Sequence, residues 1–182
     1  MTLMNKKTIK FKSADIINLR RSIDAEITNS WHIIRRENIM TKKEIESGMG
    51  SGKDLKALYN RITQLAQKRI KIKALLMYLN LGITKFDFEE FKKTNNYSIF
   101  AATEAKEAIT QLKMIPTLNP TAKSKQTKST SIKKETFTQA KIASLLKTYQ
   151  LEANKYDAAM EKFNNNTEIA INDESFISDI TT

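Results

Sequence analysis

The chain has 182 residues, enough for one domain with a buried core; with no cysteine and one histidine, it cannot form disulfides, thiolate metal sites or multi-histidine centres on its own. Four glycines and two prolines are too few for a turn-rich sandwich or barrel, so a helical fold is favoured. A formal net charge of +11 is compatible with acidic partners such as nucleic acid but does not identify one.

The chain opens on a basic arm, residues 1–12, that lacks the apolar run of a secretory signal peptide. The most apolar window, 74–83, is about half as long as a membrane-spanning helix, which needs about 20 residues. We therefore expect an intracellular or virion-associated protein that is not secreted by a signal peptide and makes no membrane contact.

The first predicted helix spans about 13–46, with Ser13 at its N-cap position. Its apolar residues recur at gaps of three or four, the period of one helix face; they are Ile16, Leu19, Ile23, Ile27, Trp31 and Ile34. Three glycines at positions 48, 50 and 52 then predict a break and a reversal of the chain.

The second predicted helix, about 54–81, carries a heptad pattern. The a and d positions are occupied by Leu55, Leu58, Ile62, Leu65, Ile72, Leu76 and Leu79, which indicates coiled-coil packing. Arg69 interrupts the pattern at an a position, and we favour a side chain that snorkels at the edge of the seam over a register-determining or partner-specifying ion pair. Two long helices joined by a short connection predict an antiparallel hairpin.

Two further helices are predicted to pack on this hairpin. The third begins at Ser98 and stops before Pro116. The fourth spans about 137–163, after a capping box at 136–139, and ends at three consecutive asparagines. Before the third helix, residues 83–93 are ambiguous between a strand and a short helix.

The remaining segments are polar. Residues 117–135 are rich in Lys, Ser and Thr, which predicts a linker that is disordered when isolated, and residues 167–182 form an acidic tail. Alternating or short apolar stretches at 8–12, 84–88 and 168–171 predict a small β patch of two or three strands. The predicted fold class is therefore all-α: a long antiparallel helical hairpin, two packed helices and this small patch.

Two motif-like stretches have plainer interpretations. Residues 48–54 read GMGSGKD, but a phosphate-binding loop needs glycine where Ser47 stands and a hydroxyl where Asp54 stands, so a hinge is favoured. Residues 136–149 resemble the first helix of a helix-turn-helix DNA reader. The apolar stripe nevertheless stays in phase through Phe163, which favours one continuous helix.

No catalytic constellation is predicted. His32 lacks a serine or acid at a spacing that marks a catalytic partner, so a solvated or packing histidine is favoured. Glu104 and Glu107 have helical spacing, but no histidine ligand accompanies them as in a di-iron site. We therefore expect no enzyme, no cofactor, no metal and no small-molecule substrate.

Three stretches carry a family resemblance. Ala14-Asp15 opens a long helix, a polar glycine-containing interruption leads to a second helix ending near Asn80, and the closing residues include Tyr156-Asp157 through Asn164 and then Thr167-Glu168-Ile169. In this order of parts the chain resembles the septicolysin-like family of small helical-hairpin proteins. The resemblance implies a helical hairpin that oligomerises; it brings no established activity and no catalytic residues.

The leading functional hypothesis is a non-catalytic structural or assembly protein that contacts copies of itself or other structural proteins. A composition rich in Lys, Asn and Ile, typical of an AT-rich genome, suggests a bacteriophage virion component. The alternative is a nucleic-acid-binding protein that uses a basic helix and the linker. Its candidate contacts are Lys56, Arg61, Lys68, Arg69, Lys71, Lys73, Lys123, Lys125 and Lys128.

Overall fold

The structure, a computed structural model, describes residues 10–118 and 132–170. The elements are α1 (Ser13–Glu37), β1 (Ile39–Thr41), α2 (Lys42–Glu46), α3 (Leu55–Asn80), α4 (Phe88–Phe91), α5 (Asn95–Lys113), β2 (Ile132–Glu135) and α6 (Gln139–Asn166). The predicted all-α class is confirmed, because four long helices make up most of these residues and the strands are short.

Helices α1 and α3 form the predicted antiparallel hairpin. The side chains of Trp31 and Tyr59 meet near one end with ring centroids 6.0 Å apart, and Asp24 pairs with Arg69 farther along. The later α3 residue therefore contacts the earlier α1 residue, so the two helices run in opposite directions. The apolar heptad positions face the shared core, where Leu55, Ile62, Leu65 and Ile72 are buried and Leu58, Leu76 and Leu79 are partly buried.

Helix α5 runs antiparallel to α3 and to α6. Glu104 of α5 bonds to Lys73 of α3 at 2.9 Å, and Glu107, one turn later, bonds to the earlier residue Arg69 at 2.6 Å. Tyr97 near the start of α5 lies 5.9 Å from Tyr156 in the second half of α6, and Asn38 joins the chain after α5 to the chain before α6. The apolar stripe of the fourth predicted helix stays in one helix to Asn166, as expected from its unbroken phase. The core thus lies between α1, α3, α5 and α6.

The first predicted helix is too long. It ends at Glu37, and β1 then pairs antiparallel with β2, with Ile39 opposite Glu135. A capping box starts α2, since Thr41 N donates to Glu44 Oε2 at 2.8 Å and Glu44 N donates back to Thr41 Oγ1 at 3.3 Å. The strand was missed because its partner lies more than 90 residues away, where local periodicity carries no information.

The predicted linker and β patch also need correction. Residues 132–135 of the linker form β2, and Leu118 N donates to Glu135 Oε1 at 2.9 Å, while 119–131 lie outside the described residues. The segments 10–12, 84–87 and 168–170 contain no strand, and residues 8, 9 and 171 lie outside the described part. Pairing instead joins β1 and β2, so the ribbon is not built from the termini.

Three helix starts differ from the predicted caps. Ser13 is the first residue of α1, the N-cap position is Lys12, and no side chain caps this helix. Helix α5 is capped by Thr94, not by Ser98, because Thr94 Oγ1 accepts from Tyr97 N at 3.3 Å. Helix α6 is capped by Thr138, whose hydroxyl accepts from Lys141 N at 3.2 Å, instead of by a capping box at 136–139. In the ambiguous segment 83–93, residues 88–91 form the short helix α4, which Asp87 caps, and no residue forms a strand.

Asn38 links distant parts of the chain at the end of α1. Its side chain is 0% exposed. Its Nδ2 donates to Pro116 O at 2.8 Å and to Phe137 O at 2.9 Å, and its Oδ1 accepts from Phe137 N at 2.6 Å. One amide therefore fixes the end of α1, the chain after α5 and the chain before α6.

We expect Asn38→Ala to lower the free energy of unfolding by about 2–4 kcal/mol, because it leaves two carbonyls and one amide buried without partners. Urea denaturation followed by circular dichroism measures the change. The control is Asn29→Ala, an exposed asparagine on α1, which we expect to change stability by less than about 0.5 kcal/mol. Equal effects of the two substitutions would refute the linking role of Asn38.

Candidate functional site

A buried charge cluster joins α1, α3 and α5. Arg69 Nε donates to Glu104 Oε1 at 2.9 Å, Nη1 donates to Asp24 Oδ1 at 3.1 Å, and Nη2 donates to Glu107 Oε2 at 2.6 Å and also to Glu104. Lys73 adds a second cation to Glu104. The side chains of Arg69 and Glu104 are only 10% and 6% exposed, so the central pair is shielded from water.

The prediction of a snorkelling Arg69 was therefore wrong. Burial by itself lowers the pKa of Arg69, but the bonds to Glu104 raise it above its usual range, so the guanidinium stays charged. The two glutamates lie on another helix, about 35 residues away, where a heptad reading of α3 could not reveal them. A signal was present in the pair Glu104 and Glu107, because their spacing of three places both on one face of α5.

A cavity of about 580 Å³ adjoins this cluster. Small residues of α5, among them Ala101 and Ala105, form part of its wall, and Tyr59 and Tyr149 also line it, with their hydroxyls 3.1 Å apart. Burial and the bond to Tyr149 raise the pKa of Tyr59, which keeps this phenol protonated. The lining thus offers apolar contacts and paired polar groups.

The structure separates the predicted basic contacts into two groups. Arg61 pairs with Glu26 at 2.7 Å, and Arg69 and Lys73 belong to the buried cluster, so these three cations already have partners within the chain. The others on α3 are exposed: Lys71 Nζ lies 5.2 Å from the ring centroid of Phe88, and Lys56 and Lys68 form no ion pair with any described residue. The linker candidates Lys123, Lys125 and Lys128 lie outside the described residues.

The glycine-rich connection binds a carboxylate of its own chain. Ser51 N and Oγ donate to Glu37 at 3.0 and 2.8 Å, and Arg36 donates to the same carboxylate. Burial raises the pKa of Glu37, but these donors outweigh it, and the pKa lies below its usual value. Helix α2, not a strand, precedes the loop, and Asp54 caps α3 by accepting from Lys56 N, an arrangement unlike a phosphate-binding loop.

The remaining chemical candidates stand apart from one another. His32 is exposed on α1, and Glu104 and Glu107 are engaged by Arg69. Within residues 10–118 and 132–170, no group of three or more acidic or histidine side chains is placed to bind a metal ion. In the same part of the chain, no helix combines the length and apolar character needed to cross a membrane.

An apolar groove lies at the end of the bundle where α1 and α5 begin and α3 ends. It is open to solvent and has a volume of about 500 Å³, and its lining includes Arg20, Leu76, Leu81, Ile99 and Phe100. Helix α6 finishes at this same end, because its Tyr156 packs against Tyr97 near the start of α5. We call this surface the terminal groove.

Exposed apolar side chains concentrate in the segments around the terminal groove. Of the twelve large ones that are exposed in the described residues, Leu81 and Ile99 line the groove itself. Six more lie outside its lining, at or beside the helix ends on the same side of the bundle: Phe11, Ile17, Leu19, Ile83, Phe163 and Ile169. Single exposed apolar residues are common, but a group at one end of a bundle is typical of an interaction surface.

Comparisons of the chain with protein-family models, with curated proteins and with solved structures found no match. The resemblance to the septicolysin-like family therefore stays a prediction. Function has to be inferred from the terminal groove, the buried cluster and the exposed lysines themselves.

We expect Arg69→Met to lower the free energy of unfolding by about 3 kcal/mol, because the buried carboxyl group of Glu104 would lose its hydrogen bonds to the guanidinium. Because Lys73 still contacts Glu104 in this variant, we expect the loss of stability to lie at the lower end of the range for breaking a buried ion pair. Urea denaturation measures the effect, and Arg61→Met, in an exposed pair, should cost less than about 1 kcal/mol.

The double variant Arg69→Met/Glu104→Met tests the cause of that loss. It removes both central charges, so we expect it to regain at least half of the stability lost by Arg69→Met alone. A double variant less stable than Arg69→Met would contradict the explanation by a stranded carboxylate.

Proposed function

We propose that this protein is a non-catalytic assembly protein whose helical body docks onto other structural subunits, in the first place further copies of itself. The observation that carries the proposal is the terminal groove with its exposed apolar side chains. Burial of such side chains against a neighbour is the general driving force for association. The Lys-, Asn- and Ile-rich composition supports a bacteriophage virion component as the specific setting.

The polar interior supports the same proposal. Arg69, Glu104 and Glu107, which line the cavity, are paired with one another, and the phenol of Tyr59 is held protonated. Such groups position helices; they do not supply a base or a nucleophile poised near neutral pH. The bundle therefore serves as a rigid body that presents its end to a partner.

Light-scattering mass of the purified chain tests the proposal. We expect a multiple of 20.8 kDa that grows with protein concentration, and a fall toward 20.8 kDa for Leu81→Asp, which places a charge at an exposed position of the groove. Leu81 is 66% exposed, so the fold should tolerate the change, and circular dichroism checks this. The matched control is Met49→Asp, at a 70% exposed position outside the groove, which should leave the mass unchanged. A full chain of 20.8 kDa at every concentration would overturn self-assembly.

Nucleic-acid binding is the second candidate, favoured by Lys56 and Lys68, which are exposed and form no ion pair with a described residue. Binding of a labelled DNA duplex, followed by fluorescence anisotropy between about 50 and about 200 mM salt, should weaken steeply if phosphates are contacted. Lys56→Gln/Lys68→Gln should then reduce the log–log salt slope by about 2, whereas Lys147→Gln on α6 serves as an exposed control. Absence of binding at low salt excludes this candidate.

A further inference from the structure

We propose that the terminal groove of one copy binds residues 167–182 of a neighbouring copy. The inference rests on the proposed function, because it names the partner that the groove accepts. Three observations carry it: the chemistry of the groove, the chemistry of the segment, and the direction in which α6 leaves the bundle.

The terminal groove combines an apolar floor with a basic rim. Its apolar lining comes from the end of α3 and the residue after it and from the first turns of α5: Leu76, Met77, Leu81, Ile99 and Phe100. Two cations line its rim, and none of its lining residues is acidic; the cations are Arg20 and Lys73. The groove is therefore suited to a segment that carries both apolar side chains and carboxylates.

Arg20 is the cation at this rim that is free to change partners. Its guanidinium is half exposed and lies 3.6 Å from Asp24, in a pair on the surface of one helix. Pairs of this kind contribute little to stability, so an incoming carboxylate can compete for the guanidinium at small cost. Lys73 is more buried and bound to Glu104, so it is less free to accept a new partner than Arg20.

The segment has the complementary composition. Residues 167–182 contain four acidic residues and no Lys or Arg, while the chain as a whole has a net charge of +11. Apolar residues alternate with the acids along the segment: Ile169, Ile171, Phe176, Ile177 and Ile180. An acidic segment with large apolar side chains can fill the groove and pair with Arg20 at the same time.

The end of α6 favours a neighbouring copy as the acceptor. The helix packs against the start of α5 at Tyr156 and continues for ten residues to Asn166, which is roughly 15 Å. Residues 161–170 are all exposed, and Ile169 is 85% exposed. The side chains are thus exposed from Glu161 to Ala170, which points the end of α6 toward solvent.

Such contacts are heterologous, because the groove of one copy binds a different surface of the next. Repetition of one heterologous contact builds a ring if the rotation closes and a filament if it does not. Either product is an assembly of the kind proposed above. Salt should weaken each contact between copies, because it screens the ion pair between Arg20 and a carboxylate of the segment.

The experiment uses two full-length variants and their mixture. Phe176→Asp/Ile177→Asp removes apolar side chains from the segment, and Leu81→Asp places a charge at the groove. We expect each variant alone to have a mass of 20.8 kDa by light scattering. An equimolar mixture should form a dimer of twice that mass, because one variant retains a groove and the other retains a segment.

The possible outcomes separate the inference from the proposed function. If the segment variant assembles like the unchanged chain while Leu81→Asp dissociates, the inference is overturned and the proposed function stands. A mixture that remains monomeric also overturns the inference. If the unchanged chain is itself a monomer of 20.8 kDa, self-assembly and the inference fall together.

Discussion

The guanidinium of Arg69 sets the geometry on which the rest of the molecule depends. It lies where α3 crosses α5 and also reaches Asp24 on α1, so three of the four long helices meet at one side chain. A buried ion pair adds little net stability compared with apolar packing, but a shift in register would strand its charges. Arg69 therefore selects one alignment of α3 on α5, and this alignment places Leu81 beside Ile99 in the terminal groove.

Asn38 has a corresponding role at the opposite end of the bundle. Its amide contacts backbone atoms near both ends of the segment that connects α5 to α6, so it positions α6 without a contact from α6 itself. The side chains of Asn38 and Arg69 are both polar, buried and hydrogen-bonded, and both join residues far apart in the sequence. The apolar stripes supply the burial that drives folding, and these two side chains reduce the number of ways in which the stripes can pack.

Most of the helical frame could be predicted because its signals are local. The heptads of α3 and the stripe of α6 each contain their own period, so the extent of both helices follows from neighbouring residues. The features that could not be predicted depend on distant partners. The residues near Ile39 do not indicate that it pairs with a strand at 132–135. Arg69 likewise interrupts the heptad pattern, and its role is seen only from its bonds to Glu104 on another helix. The terminal groove likewise arises only when the ends of α1, α3 and α5 are brought together.

The bond between Leu118 N and Glu135 Oε1 brings two points of the chain together that are seventeen residues apart. The pairing of β2 with β1 and this bond together hold the two ends of the intervening stretch close to each other. The entropy lost in closing a loop grows only logarithmically with its length, so doubling the stretch would cost about 0.6 kcal/mol. Insertion of a foreign peptide there should consequently leave the helical body intact, which makes this position a natural place to attach a label or a second domain.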